Sequence, residues 1–291
     1  MEFAKLHGLG NDFLVVRVGD ASGSQRTLSS LSTSLCHRYL GVGADGVVYY
    51  QPTIGDGEAD VSALIFNADG SRAEMSGNGL RCLAAYLCLS GQHRDATLRI
   101  RTVAGIKTLN LKQRTGKIFT FETSMGRPIT DADRIPMRPG PASGPVVDWP
   151  LTVGSETVLV TASSMGNPHC STFWPDVAKA PVDSLGSLLE RHPAFPNRTN
   201  VEFIQVIERH RIRVRFWERG VGRTLCSGTG SSGAVVAAIL RREAESPVTV
   251  ETELGSLLVR WEPPGELYLT GPAEFICSGV YPEGDVLTEP S

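Results

Sequence analysis

The chain has 291 residues, 41% of them hydrophobic, and a formal net charge of −3. That length suffices for two modest domains, each with its own core, and the near-neutral balance argues against nucleic acid or an anionic membrane as the main partner. No apolar run approaches the roughly 18 residues of a membrane span, and the start, M-E-F-A-K-L-H-G, lacks the charged-then-apolar pattern of a signal peptide.

In chain order, an extended run is predicted from Phe3 to Val18, interrupted by G-L-G-N-D-F. A helix is predicted from Leu28 to Tyr39, with leucines at 28, 31 and 35. G-V-G-A-D-G (41–46) leads into V-V-Y-Y, which reads as strand, and a further extended run ends in F-N-A-D-G (66–70). The turn M-S-G-N-G-L-R-C (75–82) then opens the apolar helix L-R-C-L-A-A-Y-L-C-L, and T-L-R-I-R-T (97–102) alternates as a strand. Gly126-Arg127-Pro128 punctuates the middle of the chain.

The second half repeats this plan. An extended run from Val158 to Trp174 is interrupted by M-G-N-P-H-C, and a helix is predicted from Val182 to Glu190. R-I-R-V-R-F-W (211–217) alternates and runs into F-W-E-R-G (216–220). T-L-C-S-G-T-G-S-S-G (224–233) opens the apolar helix S-S-G-A-V-V-A-A-I-L, and S-L-L-V-R-W (256–261) reads as strand. Gly10-Asn11 matches Gly166-Asn167, and Ser76-Gly77 matches Ser227-Gly228, at nearly constant spacing. A helix with so little polar face must be buried on most sides. The expected fold is therefore α/β, of the mixed α+β kind: two pseudo-symmetric mixed-sheet barrels, each wrapped around a central apolar helix. The expected domains are 1–125 and 126–272.

Cysteines stand at 36, 82, 88, 170, 226 and 277, without a C-x-x-C pair, and the six histidines form no H-E-x-x-H pattern. A reduced, cytoplasmic, metal-free protein acting on a small molecule is the expectation.

Each S-G-x-G turn is placed at a helix N-terminus. Free amides and the helix dipole attract anions there, and glycines admit a ligand close to the backbone. Two such turns could hold one substrate and offer a side chain to either face of it, as inversion of a carbon acid requires. The plainer reading of Ser76 and Ser227 is that of helix N-caps, a position serine favours. G-T-G-S-S-G also fits the dinucleotide pattern G-x-G-x-x-G, but about ten residues separate it from Trp217, whereas that motif directly follows its strand. No G-x-S-x-G elbow surrounds either serine. Asn11, Asn67, Asn167 and Asn200 are common turn residues as well as potential ligand contacts. His169 could be a core histidine, and Glu218-Arg219 a solvated turn pair.

Taken together, H-G-L-G-N-D-F (7–13), G-V-G-A-D-G (41–46), F-N-A-D-G-S (66–71), G-N-G-x-R-C (77–82), S-M-G-N-P-H-C (164–170), R-T-N-V-E-F (198–203) and E-R-G-V-G (218–222) resemble, in order, the motifs of the diaminopimelate epimerase family. That resemblance implies two similar α/β barrels, a tail at 273–291 returning to the first domain, an active site in the cleft between them, and a homodimer. It implies interconversion of LL- and meso-diaminopimelate without pyridoxal phosphate or any other cofactor. It also implies roles. Asn11, Asn67, Asn167 and Asn200 would bond the polar ends of the substrate, and Glu218 and Arg219 would grip its distal ammonium and carboxylate. Gly77, Asn78, Gly228 and Thr229 would offer amides to the reacting carboxylate, and His169 would support the site.

One departure stands out. The acid and base of the family are two cysteines, and serines fill those positions here, Ser76 and Ser227. A thiol ionises near a pKa of about 8.5, whereas a hydroxyl acts as a base only with help from a neighbour. Cys226 adjoins Ser227, but adjacent side chains in an extended lead-in point to opposite faces. Cys82 reads as core. Besides an epimerase, a non-catalytic amino-acid-binding protein and a different isomerase on the same fold fit these residues.

Overall fold

In a computed structural model, residues 1–19, 25–53, 55, 57–73, 75–138, 140–141 and 143–282 are described. The last nine residues of the expected tail, 283–291, lie outside the described residues. Two compact units divide the chain: Met1–Phe121 together with the described residues from Pro272 onward, and Glu122–Gly271.

The first unit contains β1 (Glu2–Gly8), β2 (Asn11–Arg17), α1 (Gln25–Cys36), β3 (Gly46–Pro52), β4 (Val61–Asn67), β5 (Arg72–Ala73), α2 (Gly77–Leu89), β6 (Thr97–Thr102), β7 (Gly105–Thr115) and the start of β8 (Ile118–Gly126). Its wiring starts with an antiparallel hairpin, β1–β2, then a parallel step to β3 across α1. β4 follows antiparallel, with the short β5 beside it, and β6 joins β4 in parallel before β7 turns back on β6. The second unit contains β9 (Val146–Val153), β10 (Glu156–Ser164), β11 (Pro168–Phe173), α3 (Val182–Glu190), β12 (Asn200–Glu208), β13 (Arg211–Glu218), β14 (Gly222–Thr224), α4 (Gly228–Leu240), β15 (Val248–Thr252), β16 (Gly255–Trp261) and the start of β17 (Leu267–Val280). Its pairings repeat the first set in type and order: β10–β11 antiparallel, β11–β12 parallel, β12–β13 and β13–β14 antiparallel, β13–β15 parallel, β15–β16 antiparallel. The far half of β17 returns to pair with β1.

Alternating residues produce this architecture. In β6, Leu98 and Ile100 are buried, and in β13 so are Ile212, Val214 and Phe216, while arginines between them stay nearer solvent. A curled sheet needs a filling, and α2 and α4 supply it. The core of the first unit gathers Leu6, Phe13, Val48, Ile65, Ile100, Leu109, Phe119 and Ala273 around Leu80, Leu83, Ala84 and Leu87 of α2. In the second unit α4 packs on β10, β11, β12, β13, β15 and β16. Burying each large aliphatic side chain contributes roughly 1.5–3 kcal/mol, so these inward faces dominate the stability of each barrel.

The two opening hairpins turn on matched glycines. Gly10 has φ 84° and Gly166 has φ 95°, the left-handed region where a side chain is strained. One expected element ends early: the helix predicted from Leu28 to Tyr39 stops at Cys36. The His37 ring nitrogen accepts from the amides of Tyr39 and Leu40, and Gly41 and Val42 bond back to His37 and Leu35. These local acceptors substitute for the next helical turn and direct the chain into β3. No helix among the described residues is long and apolar enough to cross a membrane.

Candidate functional site

The S-G-x-G turns are built alike. Ser76 caps α2 with φ −138° and ψ 115°, and Ser227 caps α4 with φ −138° and ψ 127°. Each hydroxyl oxygen accepts from the amide three residues on, Gly79 at 3.1 Å and Gly230 at 3.2 Å. The N-cap reading of both serines is therefore correct as local structure, and each bond is worth about 1 kcal/mol. Capping does not exhaust the turn. The first helical amides, at Gly77 and Asn78 or at Gly228 and Thr229, have no acceptor within their helix, so each turn keeps an amide-lined, electropositive end.

In the first unit, a chain of side chains leads to the cap. Asn78 Nδ2 donates to Asn11 Oδ1 at 2.9 Å, and Asn11 Nδ2 donates to Asp45 Oδ2 at 2.8 Å. Arg81 in turn donates to Asn78 Oδ1. Asp45 also accepts from the Asp12 amide at 3.1 Å and from Arg38 at 2.6 Å. Asp12 is buried against Lys5 at 3.1 Å and Arg38 at 3.0 Å. Burial pushes the Asp12 carboxyl up, but Arg38 and Lys5 outweigh it and hold it below the usual carboxylate range. Asn67 stands apart from this chain: it is exposed at the end of β4 and donates to Ser71 Oγ at 2.9 Å.

In the second unit, Ser227 is 5% exposed and its hydroxyl donates to Glu218 Oε2 at 3.0 Å. Glu218 ends β13, and burial raises its carboxyl above the ordinary glutamate range despite the bond from Ser227. His169 is fully buried; Nδ1 lies 2.6 Å from Glu202 Oε1, and Nε2 lies 3.1 Å from Asn167 Oδ1. Ser171 donates to the other Glu202 oxygen at 3.0 Å. Asn200 accepts from the Arg219 amide at 3.0 Å and donates to the Pro168 carbonyl at 3.0 Å. The Arg219 guanidinium, on an exposed residue, donates to the Asn197 carbonyl at 3.1 Å.

Within each unit, then, the expected residues cluster at the helix start: Ser76, Gly77, Asn78 and Asn11 in one, Ser227, Gly228, Thr229 and Glu218 in the other. Asn167 with His169, and Asn200 with Arg219, form two further bonded pairs in the second unit. Asp45, Glu202 and the Asp12–Arg38 pair were not singled out from sequence. Asp45 lies inside G-V-G-A-D-G and Glu202 inside R-T-N-V-E-F, so the motifs held the only available signal. A cavity of about 700 Å³ in the second unit is lined by Val153–Leu159, Thr172–Pro175, residues of α3 and Arg241. It includes none of the capped-turn residues. Converging amides, a carboxylate and a hydroxyl mark a site for chemistry better than volume does.

The thiols do not compete for this role. Burial pushes Cys82 up to about 12 and Cys170 well above the ordinary value, Cys226 is buried, and Cys277 is exposed. A thiol reagent at mildly alkaline pH is expected to modify native protein first at Cys277, with Cys82, Cys170 and Cys226 reacting only after denaturation. Peptide mapping checks this. Native labelling of Cys226 as fast as Cys277 would instead reveal an active thiol beside Ser227.

Two barrels, each enclosing an apolar helix with a serine-capped start, belong here to a chain that a family of isomerases of the epimerase class matches. The model of that class that matches is the one for diaminopimelate epimerase, over residues 3–130 and 161–276. The diaminopimelate epimerase of Pelotomaculum thermopropionicum is 43% identical over 282 residues, covering 97% of this chain and 99% of the relative. Diaminopimelate epimerase 1 of Nostoc sp. is 45% identical over 282 residues, covering 96% and 99%. The chain belongs to the diaminopimelate epimerase family. Its fold also matches a solved hydroxyproline epimerase from Agrobacterium vitis, with TM-score 0.67 at 16% identity over 96% of this chain and 91% of that one. A methylitaconate-delta-isomerase matches with TM-score 0.65 at 14% identity over 100% and 99%.

Proposed function

We propose that this protein inverts the α-carbon of LL-diaminopimelate to the meso form, a step in making lysine and peptidoglycan precursors, with Ser76 and Ser227 in the two proton-transfer positions. The observation that carries the reading is the 3.0 Å bond from Ser227 to Glu218. A serine needs a neighbouring base, and a carboxylate with a raised pKa is a stronger one than an ordinary glutamate. Ser227 takes the α-proton as its own hydroxyl proton passes to Glu218 Oε2. Ser76 delivers a proton to the other face, and solvent restores both groups. The amides of Gly77, Asn78, Gly228 and Thr229 hold the carboxylate next to the reacting carbon as negative charge develops there. Asn11, Asn67, Asn167, Asn200 and Arg219 bind the remaining polar groups, and His169 supports the site. A reduced cytoplasmic setting, the 1–125, 126–272 and 273–291 division, and a homodimer belong to the same reading.

A second reading has its own support. Among the described residues, the one hydrogen bond of the Ser76 side chain is the cap from Gly79. A hydroxyl without a titratable partner suits a protein that binds the amino acid without inverting it. Incubation with LL-diaminopimelate in deuterated water separates the two. Deuterium at the α-carbon with appearance of the meso form is expected. Thermal stabilisation by the ligand with neither change would leave only the binding protein.

A further inference from the structure

Glu190 is a buried carboxylate that neither the motifs nor the capped turns explain. It is the last residue of α3 and 2% exposed. Local rules disfavour it there, because a helix C-terminus carries negative partial charge and burial penalises an ionised carboxyl. Burial is nonetheless outweighed by bonds from Trp217 and Gly220 and by the charges of Arg191 and Arg198, which hold the group below the usual glutamate range.

Each side-chain oxygen receives a donor from the end of β13 or the turn that follows it. Trp217 Nε1 donates to Oε2 at 2.8 Å, and the Gly220 amide donates to Oε1 at 2.9 Å. Arg198 Nη1 reaches Oε1 at 3.4 Å, and the Glu190 carbonyl accepts from the Thr199 amide at 3.1 Å. The helix can come this close because residue 186 is glycine; a Cβ there would meet Trp217 Cβ at 2.8 Å. Arg198 turns into this contact with φ 57°, a left-handed conformation that is costly for a residue with a side chain. One carboxylate therefore ties the end of α3 to the Glu218–Val221 turn, while its own backbone holds the lead-in to Asn200. Those two segments meet in the bond from the Arg219 amide to Asn200 Oδ1.

We propose that Glu190 is a positioning residue: by fixing Trp217 and Gly220 it holds Asn200 and Arg219 in the single arrangement that grips the substrate. The identity of the substrate rests on the epimerase reading above; the clamp itself does not. Trp217, Gly220 and Arg198 are all N–H donors, so the amide of Glu190→Gln can accept on one side only and sets its own N–H₂ against the donor on the other. Adding Trp217→Phe removes one donor and lets the amide oxygen return to Gly220.

The test compares wild type, E190Q, W217F and E190Q/W217F by hydrogen exchange at the Gly220 amide and by KM and kcat for diaminopimelate. In E190Q, Gly220 is expected to exchange about tenfold faster or more, and KM to rise about tenfold with kcat changed less than threefold. W217F keeps Gly220 protected, and the double variant recovers both quantities relative to E190Q. A double variant worse than E190Q, or an E190Q protein with wild-type exchange, overturns the clamp. Faster exchange with unchanged KM overturns the positioning role. Wild-type protein inert toward diaminopimelate removes the epimerase reading alone, and the Gly220 comparison still decides the clamp.

Discussion

With Ser76→Cys and Ser227→Cys combined, α-proton exchange on diaminopimelate is expected to rise by about 10²- to 10⁴-fold, the range a well-matched acid–base pair supplies. The reason is acidity. A thiol near a pKa of about 8.5, lowered further at a helix N-terminus, reaches its thiolate without a partner, whereas a hydroxyl does not. Ser76 should limit the wild-type rate, because among the described residues its side chain bonds only the Gly79 amide, while Ser227 has Glu218 at 3.0 Å. Ser76→Cys alone should therefore recover more of the gain than Ser227→Cys alone. Thiols cap helices poorly, so the double variant is expected to lose about 1–2 kcal/mol, read as a lower melting temperature. Single-turnover exchange in deuterated water measures the rate. An unchanged rate in a folded double variant would show that more than these two side chains separates this chain from catalysis.

Glu218→Gln is expected to reduce the exchange rate by about 10²-fold or more while raising stability at neutral pH. Glutamine still accepts the Ser227 hydroxyl but cannot take its proton. The stability gain follows from linkage. Burial raises the Glu218 carboxyl above the ordinary value of 4.5, with Thr224, Ser227 and the nearby His169 opposing the rise and Glu202 adding to it. A raised folded-state pKa means the folded protein holds this proton more tightly than the unfolded chain does. Its contribution to stability is full below the unfolded pKa and is lost as pH rises through the folded one. Above the unfolded pKa, neutral pH included, the carboxyl is therefore a cost that glutamine removes. Activity should run the other way, rising with pH through the same window as the carboxylate forms. Melting curves and a pH–rate profile for both proteins test the pair of effects. Loss of rate with no gain in stability would mean that Glu218 acts through binding contacts alone.

On the proposed mechanism stability and chemistry pull against each other at Glu218, and local rules are broken again nearby. Glu190 sits at the wrong end of a helix, and Arg198 adopts a left-handed backbone. Departures from local rules gather where a fold serves a ligand instead of its own stability.

Much was legible in the residues alone. The 2-residue alternation of T-L-R-I-R-T and R-I-R-V-R-F, the apolar runs after each S-G-x-G turn, and the matched Gly10-Asn11 and Gly166-Asn167 pairs are local signals, set by backbone geometry within a few residues. They determined two barrels of the same wiring, two buried helices and a serine cap on each. What lay beyond reach was every contact made across the fold. Asn11 meets Asn78 and Asp45, His169 meets Glu202, and Glu190 meets Trp217 and Gly220 only because strands distant in sequence are brought side by side. Periodicity records which face of an element turns inward, but not which partner awaits it there. The tertiary structure decided that Ser227 has a carboxylate within hydrogen-bond reach and that, among the described residues, the side chain of Ser76 makes only its cap, because packing sets those partners and spacing along the chain does not.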